Sequence, residues 1–273
     1  MSPLKSKTVL ITGASSGIGE ALARECASRG ANLVLVARRA DRIDRLAHEI
    51  RDKGGRAIAV TGDVTCDGEL ERAAEIARKE FGAIDVVVAN AGFGVNGLAE
   101  ELTLGDYRRQ FETNVYGVLR TFYATLADLK VSKGSFTIVG SVSGHVSAPT
   151  TSAYAMSKFA VRALADALRA ELKRYGVAVT LISPGFVKSD IRVTDNRGSV
   201  HRELKDPVPD WLQMPSEKAA RKIVRAILCR RRERVLTVHG HLAVWLQRAC
   251  PAFVNWVLGL AKVKTRQERL NQG

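Results

Sequence analysis

A chain of 273 residues can hold one large α/β core or two small domains, and 46% hydrophobic with 26% charged residues is an ordinary globular balance. That composition excludes a disordered or collagen-like chain, and four scattered cysteines, Cys26, Cys66, Cys229 and Cys250, suggest neither a disulfide framework nor a zinc site. The formal charge of +14 is the unusual bulk property; it favours acidic partners, whether a phosphorylated cofactor, nucleic acid, an anionic membrane or an acidic carrier protein.

The first apolar run, residues 8–12, follows a start too short for a charged, apolar and cleavable leader, so a cytoplasmic protein is expected. It leads into Thr12-Gly13-Ala14-Ser15-Ser16-Gly17-Ile18-Gly19, after which residues 21–25 read as a helix. Strand, glycine turn and helix in that order bring backbone N–H groups up to a pyrophosphate at a helix N-terminus. Glycines at such spacing alone would equally make a structural turn; the flanking strand and helix point to a dinucleotide.

Further apolar, β-branched runs follow at 33–36, 57–60, 86–88, 136–139, 177–182 and 235–238, separated by stretches long enough for crossover helices. Several are apolar on both faces, as a parallel sheet covered on each side requires. The expected fold is α/β: a Rossmann-type doubly wound, mostly parallel seven-stranded sheet with helices on both faces and a C-terminal helical extension.

The second run ends in Ala37-Arg38-Arg39, with no acid before Asp41. An acid there would bond the adenosine ribose and repel a 2′-phosphate; Arg38 offers that phosphate a planar guanidinium, so NADP(H) is expected over NAD(H). Asp63 and Val64 follow the third run, and Ala89-Asn90-Ala91-Gly92 the fourth. Asn114 precedes the fifth run, Ser141 follows it, and Tyr154-Ala155-Met156-Ser157-Lys158 comes next. Pro184-Gly185 ends the sixth, with Val187 and Ser189 just beyond. On a helix, Tyr154 and Lys158 lie one turn apart on one face. A free tyrosine titrates near ~10, and a neighbouring ammonium stabilises its phenolate, bringing proton transfer towards neutral pH. Ser141, at the carboxyl end of a strand, is placed to orient a substrate carbonyl.

Jointly these motifs resemble the short-chain dehydrogenase/reductase family, over residues 9–238. Three residues separate Gly13 from Gly17 and one separates Gly17 from Gly19, as in that family; Ala89 departs from it, standing where the family has asparagine. The resemblance implies that Ser141, Tyr154, Lys158 and Asn114 are catalytic, Lys158 also bonding the nicotinamide ribose and Asn114 joining a water-linked proton relay with it. It gives Asp63 to the adenine and Ser189 to the carboxamide. Cofactor contacts are expected from Thr12, Gly13, Ser15, Ser16, Gly17, Ile18, Gly19, Arg38, Asp63, Val64, Asn90, Ala91 and Gly92, then from Tyr154, Lys158, Pro184, Gly185, Val187 and Ser189.

The expected organisation is a dinucleotide-binding oxidoreductase domain over residues 1–239, with an aperiodic substrate loop at 186–215 carrying Pro207 and Pro209, and an amphipathic extension over 240–273. His239-Gly240-His241 lacks a third ligand at metal spacing, so a turn and no metal are expected there. Lys218, Arg221, Lys222 and Arg225 decorate a predicted helix, and Arg230-Arg231-Arg232 with Arg234 precede the last strand. Beyond it Leu242, Trp245, Leu246, Ala249, Phe253, Trp256, Val257 and Leu260 recur at helical spacing across a break at Pro251. Arg248, Pro251 and Asn255 interrupt this stripe and argue against a spanning helix. The stripe suits packing at the substrate entrance or on a partner subunit, peripheral contact with the inner face of a membrane, or docking of another protein.

The expected function is NADP(H)-dependent interconversion of a ketone or aldehyde and an alcohol by hydride transfer. The expected substrate is apolar and steroid-, retinoid- or lipid-like, and the expected assembly is a homo-dimer or homo-tetramer without nucleic acid. Two other readings stand beside it: a 3-oxoacyl carrier-protein reductase, whose basic surface would meet an acidic carrier, and a non-catalytic dinucleotide-sensing or scaffold protein. The intact Ser141, Tyr154 and Lys158 argue against the last.

Overall fold

The computed structural model describes residues 4–197, 206 and 208–260. Pro207 and residues 198–205 of the expected substrate loop, and 261–273 of the extension, lie outside the described residues. Seven strands, β1 (Thr8–Thr12), β2 (Asn32–Ala37), β3 (Arg56–Thr61), β4 (Val86–Ala89), β5 (Ser135–Val139), β6 (Ala178–Ser183) and β7 (Glu233–Val235), form one sheet in the order β3-β2-β1-β4-β5-β6-β7. Every neighbouring pair is parallel, so the expected mostly parallel sheet is wholly parallel among the described residues. Helices α1 (Gly17–Ser28), α2 (Ala40–Asp52), α3 (Glu69–Phe81), α4 (Leu104–Phe111), α5 (Gly117–Ser132), α6 (Ser152–Leu172) and α7 (Ser216–Leu228) lie along the crossovers, and α8 (Val238–Ala249) and α9 (Pro251–Gly259) follow the sheet.

Successive strand residues face opposite layers, and both layers are buried. Val9, Ile11, Leu33 and Leu35 join Leu22, Ile43 and Ile223 of α1, α2 and α7 in one core. Leu10, Val34 and Val36 join Leu70, Leu129 and Leu168 of α3, α5 and α6 in the other. This double burial makes the strands read as unbroken apolar runs rather than alternating ones. Phe136 of β5, fully buried, meets Phe122 of α5 edge-on at 5.4 Å and 71°. Burying such a ring stabilises the fold by roughly 1.5–3 kcal/mol.

The chain winds outward from β1 to β3 and restarts at β4 on the other side of β1. The loops leaving β1 and β4 therefore diverge to opposite faces, and a crevice opens at the strands' carboxyl ends.

The last strand starts and ends earlier than the apolar run 235–238 suggests. The Thr237 hydroxyl accepts the Gly240 N–H at 3.2 Å and caps α8, so Val238 opens a helix and His239, Gly240 and His241 are helical, not the expected turn after the strand. Part of the basic run staples the protein's own loops: Arg230 donates to the carbonyls of Lys133, Gly134 and Gly176, and Arg232 pairs with Asp166 at 3.0 Å. The extension touches the sheet domain through buried Gly240 and Val244, while Leu242, Trp245, Phe253, Trp256, Val257 and Leu260 are exposed. The break between α8 and α9 falls where expected, with Pro251 in the first turn of α9, where its missing N–H leaves no helical bond unmade. No helix among the described residues is long and apolar enough to cross a membrane.

Candidate active site

A cleft of about 470 Å³ opens over the carboxyl ends of β1 and β4. At one end lies the turn between β1 and α1. Gly13 and Gly17 adopt φ of +66° and +56°, a region that side-chain-bearing residues rarely enter. Gly19 is required by crowding instead: a Cβ there would lie 2.3 Å from the Gly13 carbonyl oxygen and 2.6 Å from Asn90 Nδ2. Asn90 stitches the loops together, its amide donating to the carbonyls of Thr12 at 2.9 Å and Gly13 at 3.2 Å. The Thr12 hydroxyl in turn accepts the N–H groups of Asn90 and Ala91, both at 3.1 Å. Thr12 and Gly19 thus build the turn from behind. Gly13, Ser15, Ser16, Gly17 and Ile18 face the cleft, as do Asn90, Ala91 and Gly92.

The two arginines after β2 differ. Arg38 keeps 66% of its side chain exposed and approaches Asp63 at 3.8 Å. Arg39 turns inward, its Nη2 donating to the hydroxyls of Ser15 and Ser16, both at 2.8 Å. Asp190, from the irregular loop after β6, faces Arg39 at 3.8 Å and Arg42 at 3.7 Å. Arg38 and Arg39 line the cleft with Asp63 and Val64. Asp63 is partly committed to its own turn, one oxygen accepting the N–H and hydroxyl of Thr65, each at 2.9 Å.

At the other end Ser141 leaves β5 in an extended conformation and accepts the Ser143 N–H at 3.0 Å. Tyr154 and Lys158 lie in the first turns of α6, as expected from their spacing. Lys158 is 6% exposed and donates to the Val139 carbonyl at 3.0 Å, its nitrogen 5.6 Å from the Tyr154 ring centre. The electrostatics correct the expectation. Burial raises the Tyr154 phenol above its ordinary value, opposed by a hydrogen bond with Ser141 and by the charge of Arg192. Burial also lowers Lys158 to about 8. Desolvation disfavours charge on both groups, and the influences that favour the phenolate come from Ser141 and Arg192.

Asn114 sits in a π-helical turn, Glu112–Tyr116, between α4 and α5, a local widening common at functional sites. It is 1% exposed, behind the cleft wall. Its oxygen accepts the Phe93 N–H, and its amide donates to the Phe93 carbonyl and the Ser157 hydroxyl, all at 3.1 Å. Gly92 lies between Asn114 and Lys158: a Cβ there would be 3.0 Å from Asn114 Oδ1 and 3.7 Å from Lys158 Nζ. Pro184, Gly185, Val187 and Ser189 line the cleft beside Ser141.

The structure adds residues that the motifs did not single out. Gln110, fully buried one turn before Asn114, donates to the Phe93 carbonyl at 2.9 Å and accepts the Val95 N–H at 2.6 Å. Its helical spacing from Asn114 was the available signal. Arg192 pairs through two nitrogens with Asp206 and lines the cleft; nothing local in an aperiodic loop marks it. Arg39 was in view beside Arg38, but adjacency does not say which of two neighbours turns inward.

Comparison with known proteins agrees with this geometry. A family model described as short chain dehydrogenase matches residues 7–199. The chain is 34% identical over 263 residues to 11-beta-hydroxysteroid dehydrogenase A of Sesamum indicum, covering 93% of this chain and 75% of that protein. It is 33% identical over 254 residues to 11-beta-hydroxysteroid dehydrogenase-like 4A of Arabidopsis thaliana, covering 91% and 82%. Among solved structures, an alcohol dehydrogenase from Thermococcus sibiricus complexed with 5-hydroxy-NADP superposes with a TM-score of 0.73 at 31% identity, covering 84% of this chain and 95% of that one. A short-chain dehydrogenase/reductase from Burkholderia phymatum in complex with NAD superposes with a TM-score of 0.82 at 25% identity, covering 93% and 96%. With the wholly parallel sheet, the glycine turn and the Ser141, Tyr154 and Lys158 cluster in one cleft, these matches show that the chain belongs to the short-chain dehydrogenase/reductase family, oxidoreductases of alcohol and carbonyl groups.

Proposed function

We propose that the protein interconverts a ketone or aldehyde and an alcohol with NADP(H), on an apolar, steroid-, retinoid- or lipid-like substrate. The observation that carries the reading is the single cleft that has the glycine turn and two arginines at one end and Ser141, Tyr154 and Lys158 at the other. The residues fit a nicotinamide dinucleotide: Gly13 and Gly19 leave no room for side chains beside the Asn90 loop, and cations flank the Ser15–Ser16 turn. When bound, that cofactor supplies or accepts the hydride. For reduction, Ser141 donates a hydrogen bond to the substrate carbonyl oxygen, and Tyr154 gives that oxygen its proton. The carbonyl carbon gains hydride and the oxygen gains a proton, yielding the alcohol and a phenolate that Ser141 and Arg192 stabilise. Lys158 would bond the nicotinamide ribose, and Asn114 fixes the Phe93 backbone and would join Lys158 in a water-linked relay that returns a proton to the Tyr154 phenolate. The names of the hydroxysteroid dehydrogenase relatives and the apolar lining residues Phe93, Val187 and Ile191 support the substrate class.

Arg109 and Arg197, which line the same cleft, favour a second reading: a 3-oxoacyl group presented by an acidic carrier. Oxidation of NADPH and NADH followed against apolar ketones and a 3-oxoacyl thioester separates the two. Turnover of no carbonyl would sink both.

Arg38 and Arg39 are proposed to bind the 2′-phosphate. Replacing either by Ala is expected to weaken NADPH binding about ten- to a hundredfold, the scale of a lost charged hydrogen bond, and to weaken NADH binding far less. Fluorescence titration with both cofactors checks this, and an unchanged NADPH/NADH ratio in both variants removes the arginines from the argument.

We also propose that the exposed Leu242, Trp245, Phe253, Trp256 and Leu260 meet an anionic lipid surface, because they accompany Arg248 on a chain of net charge +14. The full chain is expected to pellet with phosphatidylserine-containing vesicles but not with phosphatidylcholine alone. Replacing Trp245 and Trp256 together by Ser should abolish pelleting. Equal behaviour with both vesicles, or a Trp-dependent dimer in their absence, would overturn this in favour of a protein–protein contact.

A further inference from the structure

The family match ends at residue 199, yet the cleft is also braced by residues far beyond it. The first turn of α8 lies against two loops at the Ser141 end. A Cβ at Gly240 would sit 2.8 Å from Val142 Cγ2, the neighbour of Ser141. A Cβ at Gly185 would sit 2.2 Å from Thr237 Oγ1 and 2.5 Å from His239 Nε2. The start of the extension is therefore in direct contact with the Pro184–Gly185 turn.

The polarity of this contact is determined by its donors. The Phe186 N–H donates to His239 Nε2 at 3.2 Å. The Thr237 hydroxyl lies 3.1 Å from the same nitrogen and accepts the Gly240 N–H at 3.2 Å. A backbone N–H can only donate, so Nε2 must carry a lone pair and the neutral ring holds its proton on Nδ1. Burial favours the same neutral state. The imidazole also stacks on the Phe186 ring, centres 5.1 Å apart at 30°. On its other side Phe186 is held by its carbonyl, which accepts the Met214 N–H at 2.8 Å. The Pro184 carbonyl accepts the Val142 N–H at 2.9 Å and ties the turn to Ser141.

We infer that His239 is a positioning residue: by accepting the Phe186 N–H it holds the Pro184–Gly185–Phe186 turn against the Ser141 turn, and so sets the cleft wall on which hydride transfer depends. The inference rests on the cofactor site proposed above, whose cleft this turn lines beside Ser141. A fixed wall matters because misplacement by about 1 Å can cost on the order of a hundredfold in rate.

Two substitutions separate the acceptor from the packing. His239→Phe keeps a stacked ring and loses the acceptor; His239→Gln places an oxygen near the Nε2 position and loses the ring. With full-length protein, kcat, KM and the NADPH dissociation constant are measured for a ketone that the wild type reduces, together with Tm. His239→Phe is expected to lower kcat/KM at least about tenfold at a Tm within a few degrees of wild type, and His239→Gln to return to within about threefold. Equal impairment of both variants, or no loss in the folded Phe variant, overturns the inference. Should the Phe variant not fold, His239→Asn, too short to reach the Phe186 amide, takes its place with the same expectations. If the wild type reduces no carbonyl, the proposed activity fails, and NADPH affinity across the same variants still decides the role of His239.

Discussion

Tyr154→Phe is expected to lower turnover by about 10²–10⁴-fold, the usual contribution of a positioned proton donor, with NADPH affinity retained. The substitution removes one oxygen and leaves the ring, so the cleft keeps its shape and Lys158 keeps its bond to the Val139 carbonyl. The pH profile sharpens the test. Burial raises the phenol, so it stays protonated through the neutral range and is available as a donor for reduction. Lys158 is lowered to about 8, so its ammonium is present below that pH and lost above it. Reduction by the wild type should therefore decline as pH climbs through about 8, where the proposed ribose contact loses its charge. Stopped-flow measurement of hydride transfer, beside fluorescence titration of NADPH, distinguishes chemistry from binding. Equal loss of both in Tyr154→Phe would make Tyr154 a cofactor-binding residue only.

Gly19→Ala is expected to damage folding and cofactor binding together. The added Cβ would fall 2.3 Å from the Gly13 oxygen and 2.6 Å from Asn90 Nδ2, and neither is the free end of a flexible side chain. The Gly13 carbonyl belongs to the turn itself, and Asn90 is bonded to the Thr12 and Gly13 carbonyls. Relief of the contact must move the turn or break those bonds. Overpacking of this kind costs about 1–3 kcal/mol, which lowers Tm by several degrees in a protein of this size and displaces the N–H groups that face the cleft. Gly259→Ala is the control, since a Cβ there meets nothing within 4 Å. Thermal unfolding and NADPH titration of both variants check the expectation. Wild-type values for Gly19→Ala would show that the turn yields without cost.

The sequence was read well where burial on both faces left a continuous signal. β1, β2 and β5 are buried at every residue, and each appears as an apolar run. The run at 235–238 misled for the same reason: Val235 and Leu236 are buried, but strand pairing ends at Val235 and the Thr237 cap starts a helix. Apolarity is shared by a buried strand, a buried connection and a helix start, so it marks burial without marking the backbone. In the tail, the helical stripe and its break were legible. Most of its large side chains are nevertheless exposed, because the contact with the domain is made by Gly240, Val244 and the Arg248–Glu233 ion pair.

What the sequence determined by itself was the order of parts. A strand, a glycine turn and a helix, then Asn114 after the fourth strand and Ser141, Tyr154 and Lys158 after the fifth, are local patterns whose chemistry is carried by residue type and spacing. Tertiary structure decided what depends on distance through space. It brought β4 beside β1, so that Asn90 closes the turn, and turned Arg39 towards Ser15 and Ser16 while leaving Arg38 largely exposed. It also set the burial that raises the Tyr154 phenol and lowers Lys158, because desolvation depends on everything packed around a group and not on its partner four residues away. His239 shows the same division: from sequence it is one of two histidines in a turn after the last strand, and only the folded chain brings its acceptor nitrogen to the Phe186 amide.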